Sequence, residues 1–175
     1  MSVIRGMIQR AERMWEITRF ERVARTGTYR DIRRDHEVLL NYARSLASPA
    51  SSAPHLRSSN LGSVERRFEA YARGVERALY RCLEGTSPVG NTVANLRERR
   101  GRVDELLQRL SRCELDSDTF GRLAAQTRRE IDDLVTREER ILMPQSVEFL
   151  TEEDYQQLGP RYHAEDEEQI ERLSA

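Results

Sequence analysis

Residues 120–160 read FGRLAAQTRREIDDLVTREERILMPQSVEFLTEEDYQQLGP. Apolar side chains recur at helical steps through Phe120, Leu123, Ala124, Ile131, Leu134, Ile141 and Leu142, with Thr127 and Glu138 on the same stripe. That period is the signature of an amphipathic α-helix. Ser117 or Asp118 is placed to cap its start, and Pro144 to end or kink it. Thr151 with Asp154 then caps a short helix carrying Tyr155 and Leu158. Gly159-Pro160 is expected to stop that short helix.

The same grammar extends upstream. A helix starting at Thr28, with Asp31 completing a short-acid capping box, has the inward stripe Tyr29, Ile32, His36, Leu39, Ala43 and Leu46. Residues 47–62, ASPASSAPHLRSSNLG, read as a Ser/Pro/Ala-rich linker with His55 in solvent. Ser63 is expected to cap a helix over residues 64–83 with the stripe Val64, Phe68, Tyr71, Val75, Leu79 and Cys82. After a turn at residues 85–91, a helix over residues 92–113 has the stripe Val93, Leu96, Arg100, Val103, Leu107 and Leu110. Arg100 and Glu138 are polar intruders on apolar faces. The N-terminal residues 2–24 are expected to form a further amphipathic helix, with Ile4, Met7, Ile8, Ala11, Met14, Trp15 and Val23 at roughly helical spacing and Gly27 as its stop.

No strand pattern and no repeat interrupts this series. The expected fold is all-α, an up-down-up-down four-helix bundle with an extra N-terminal helix and a short C-terminal one. It divides into residues 1–27, the N-terminal helix; 28–162, the bundle; and 163–175, an acidic tail expected to fray.

A chain of 175 residues can bury a core without staples. All 29 basic residues are Arg, and the net charge is −1. The charge is segregated: net +5 over residues 1–62, +4 over 63–113 and −10 over 114–175. Acidic helices packed beside basic ones explain this within one domain. A nucleic-acid or lipid-binding face is the alternative, and no aromatic-interleaved basic run supports it. Cys82 and Cys113 fall near the ends of consecutive helices, which in an antiparallel pair are too far apart for a disulfide. Free thiols in a cytoplasmic protein are expected, with no secretory leader and no transmembrane segment.

In its order of features the chain resembles the haemerythrin-like (HHE cation-binding) family over roughly residues 29–162. Asp35-His36 matches the Asp-His pair of the family's first core helix. Glu138-Glu139, followed by Leu142-Met143-Pro144, matches the end of the last one. Leu150-Thr151-Glu152-Glu153-Asp154 through Leu158-Gly159 matches the segment beyond it. The resemblance implies a di-iron centre held by His and bridging carboxylates, with a position open for dioxygen. His36 stands at the first ligand position. The second-helix His and Glu positions fall on Tyr71 and Val75, with Glu76 adjacent. The third-helix His falls on Arg100 and the fourth-helix His on Leu134, while Glu138 or Glu139 keeps the carboxylate.

Three readings follow. In the first, the domain is a degenerate, metal-free member with no enzymatic activity, serving as an interaction or regulatory module. Helix 2–24 then contacts a protein partner or a second copy in a homodimer. A polar core of His36, Tyr71, Arg100 and Glu138 takes the metal's place, with Arg100 paired to Glu138. In the second, His36, Glu76, Glu138 and Glu139 hold residual iron for oxygen, nitric oxide or iron sensing. In the third, the Arg-rich half binds nucleic acid or an anionic surface. No phosphate loop, Cys-x-x-Cys pair or nucleophile–His–acid set points to catalysis.

Overall fold

The computed structural model describes residues 27–86 and 88–174, without the side chains of residue 51 and of 165–174. Helix 2–24 lies outside the described residues. Among those described, every regular element is a helix. Helix α1 spans Thr28–Leu46. After a 3₁₀ turn at Pro49–Ser51, α2 spans Pro54–Val75 and continues through a π segment, Glu76–Tyr80, into a last turn, Arg81–Leu83. Helix α3 is Val89–Ser111. Helix α4 is Asp118–Arg137, continuing through a second π segment, Glu138–Leu142, into Met143–Phe149. Helix α5 is Glu152–Ser174. No described helix is long and apolar enough to cross a membrane.

The stripes read from the sequence decide the packing. All six stripe positions of α1 are buried, His36 among them. Helix α1 packs on α2 and α4, α3 packs on α2 and α4, and α5 lies across α2 and α1. One core of buried side chains runs through these contacts, including Ile32, Phe68, Leu96 and Ile131. The Ser117 hydroxyl accepts from Phe120 N at 3.1 Å and caps α4. Thr151 and Asp154 form a reciprocal capping box: Thr151 N donates to Asp154 Oδ2 at 3.1 Å, and Asp154 N to Thr151 Oγ1 at 3.2 Å.

Several expectations are overturned. Most of the expected linker over residues 47–62 is helix. Pro54 occupies the first turn of α2, where its missing N–H leaves no broken bond. Leu61 is buried, the Asn60 amide donates to Ser45 O at 3.4 Å, and the Arg57 guanidinium donates to Leu115 O. Packing there overrides a run of weak helix formers. Ser63 is therefore interior to α2, its hydroxyl donating to Ser59 O at 2.9 Å instead of capping. At α1 the N-cap is Gly27, with a φ of 65° and no side-chain cap bond, so the Thr28–Asp31 box does not form.

Pro144 does not end α4. A proline ring clashes with the carbonyl four residues back in a regular helix, and the π segment immediately before Pro144 relaxes that ladder. The extra residue rotates the stripe, so Ile141, expected inside, is 38% exposed. Gly159-Pro160 does not stop α5 either. Leu158 and Tyr162 are buried on both sides of it, and that packing carries the helix through Pro160 into the residues expected to form a tail. At Gly74 a Cβ would stand 2.8 Å from the Tyr162 ring, so the glycine sets how closely α5 approaches α2.

Candidate functional site

The two π segments face each other across the core. Tyr80 closes the first and Glu138 opens the second, and the Tyr80 hydroxyl donates to Glu138 Oε1. π segments are rare and recur at functional sites. Tyr80 joins two polar clusters of opposite character.

The inner cluster is centred on His36, which is 1% exposed. Its Nδ1 lies 2.8 Å from Glu139 Oε1, and its Nε2 lies 3.0 Å from Glu138 Oε2 and 3.1 Å from the Tyr71 hydroxyl. Glu138 is itself 1% exposed. Burial pulls the imidazole down, but the hydrogen bonds and charges of Glu138 and Glu139 outweigh it and push His36 up to about 9. The ring is then an imidazolium with both N–H groups donating to carboxylates. The bond from His36 holds Glu139 below its ordinary value, against a smaller desolvation. Full burial drives Glu138 up, with His36 opposing it.

The outer cluster is centred on Glu76. Arg97 donates to it through Nη2 at 2.6 Å and Nε at 3.1 Å, and Arg100 through Nη1 at 2.8 Å. Arg97 also reaches Glu84 at 2.5 Å. Burial raises the Glu76 carboxyl, and the two guanidiniums more than reverse this, leaving it below its ordinary value. The Arg97 and Arg100 guanidiniums lie 6.0 and 5.4 Å from the Tyr80 ring centroid, within cation–π reach.

His36, Tyr71, Glu138 and Glu139 thus come together, while Glu76 and Arg100, which the resemblance placed with them, stand apart. The expected Arg100–Glu138 pair is overturned. Tyr80 stands between the two, its hydroxyl on Glu138 and its ring beneath Arg100, and Arg100 turns to Glu76 instead. Tyr80 and Arg97 were missed by the sequence reading. Tyr80 is one position off the stripe that contains Leu79, and only the π segment turns both inward.

The donor set does not fit iron. Glu138 and Glu139 lie on opposite nitrogens of one imidazole, so no single cation reaches His36 and both carboxylates. Glu76 is held by two guanidiniums. Among the described residues no three His, Cys, Asp or Glu side chains are grouped to hold a metal.

No family model matches the chain, and no curated protein matches it.

Proposed function

We propose that the chain is a degenerate haemerythrin-like up-down-up-down bundle whose centre is held by hydrogen-bonded charges in place of a metal. It is a non-enzymatic interaction or regulatory module. The circuit of contacts through α1, α2, α3 and α4 supports the bundle topology. The observation that carries the metal-free reading is the closure of His36: both ring nitrogens are taken by carboxylates, and Tyr71 and Tyr80 complete the set. An imidazolium has no lone pair for a cation. With the centre filled by its own side chains, the role falls to the outer faces of the helices.

The test is metal analysis and an absorption spectrum of protein purified from iron-supplemented cells. Sub-stoichiometric iron and no oxo-bridge band are expected. Near-stoichiometric iron with such a band overturns the reading.

A further inference from the structure

A cavity of about 490 Å³ at the seam of α2 and α5 is lined by Arg77, Arg81, Cys82, Asp154 and Arg161. It lies outside the two clusters described above. Among the described residues, three guanidiniums and one carboxylate line it. That carboxylate is engaged in the capping box of α5, its Oδ2 accepting from Thr151 Oγ1 at 2.7 Å and from Thr151 N. The other oxygen, Oδ1, forms a long ion pair with Arg161 Nη1 at 3.6 Å, beyond direct hydrogen-bond distance.

Arg161 Nη1 donates instead to Cys82 Sγ at 2.7 Å. A thiol is a weak acceptor for a guanidinium. It supplies no counter-charge either: burial pushes the Cys82 thiol up, with Arg161 opposing, so it stays neutral at neutral pH. Arg77 is fixed in place, donating from Nε to Arg161 O at 3.1 Å and from Nη2 to Tyr162 O at 3.4 Å. Arg81 is exposed at the mouth of the cavity. A concave wall lined by guanidiniums attracts anions, and guanidiniums match the oxygens of a phosphoryl group two at a time.

We propose that this seam binds a phosphate group, taken either as inorganic phosphate or as the phosphoryl end of a small phosphomonoester, through Arg81 of α2 and Arg161 of α5. The bound anion replaces the thiol as the acceptor of Arg161 and bridges the two helices. The site is independent of whether the bundle centre holds a metal.

The experiment is isothermal titration calorimetry of the full chain at constant ionic strength, with inorganic phosphate in one arm and glucose 6-phosphate in the other. Saturable binding to the wild type is expected in at least one arm, and which arm responds identifies the source. Arg81→Gln, an exposed change that leaves the core intact, weakens it by about tenfold, the effect of one charge-assisted hydrogen bond. Arg44→Gln, far from the cavity, leaves it unchanged. Alkylation supplies a second readout: phosphate slows modification of Cys82 by iodoacetamide and leaves Cys113 unaffected. Phosphate also stabilises proteins by exclusion from their surfaces, so a rise in melting temperature shared by wild type and Arg81→Gln does not count as binding. No saturable heat in either arm, or equal affinity in Arg81→Gln, overturns the proposal.

Discussion

The two clusters that meet at Tyr80 use the same chemistry, carboxylates facing cations, at different depths. In the inner cluster the His36 imidazole and Glu138 are almost wholly out of water, and only Glu139 reaches toward solvent, whereas in the outer one Glu76 is 23% and Arg97 36% exposed at the side chain. Depth decides what each contributes. A buried charge that loses its partner cannot recruit solvent, whereas a half-exposed one can. The inner cluster therefore holds the molecule hostage to its completeness, and the outer one tunes it. Four perturbations break or sharpen that contrast.

Glu138→Ala leaves the His36 imidazolium and the Tyr80 hydroxyl facing a cavity. It is expected to destabilise by about 3–5 kcal/mol, measured by urea unfolding. A loss equal to that of Glu76→Ala removes the distinction between the clusters.

Next in size is the pH dependence. The folded His36 value of about 9 lies above the ordinary imidazole value of 6.5. The stabilisation is therefore complete below about pH 6.5 and is lost as pH rises through about 9, on the order of 3 kcal/mol in total. The urea midpoint should fall across that window, and His36→Gln should flatten the slope. Glu139, held below its ordinary value, acts in the opposite sense: its contribution is present above the ordinary carboxylate range and fades in acid.

Tyr80→Phe keeps the ring beneath Arg97 and Arg100 and removes only the donor to Glu138. A loss of about 1–3 kcal/mol is expected, since a buried carboxylate oxygen goes unsatisfied. The acid–base profile should shift with it, which simple loss of packing would not produce.

The smallest effect is that of Glu76→Ala, about 1 kcal/mol at low salt. It should shrink further at about 1 M salt, where screening reaches partly exposed pairs. Glu138→Ala should keep most of its effect under the same conditions.

Much of the fold was legible because apolar period and burial obey the same geometry. The stripe of α1 is buried position for position, and the caps at Ser117 and Thr151–Asp154 form as their spacing required. Residues 47–62 misled because Ser, Pro and Asn report local preference, while Leu61 and Arg57 act through contacts with distant parts of the chain. The candidate site was half legible. His36, Tyr71 and Glu138 sit on stripes that converge. Tyr80 does not, because a π segment adds a residue to the turn and resets the phase that a 3.6-residue period assumes. Arg100 was correctly read as an intruder and given the wrong partner, since a stripe gives the face of a helix and not its level against a neighbour.

By itself the sequence determined the helices of the described residues, most of their inward faces, and the burial of His36 and Glu138 on those faces. These follow from local periodicity and the exclusion of apolar surface from water. Only the tertiary structure decided that Glu138 meets His36 and Tyr80, that Glu76 takes both arginines, and that α5 runs past Pro160 to close an arginine-lined cavity. Which buried charges pair depends on helix level, rotation and the two π segments, and those are set by the packing of all the helices together.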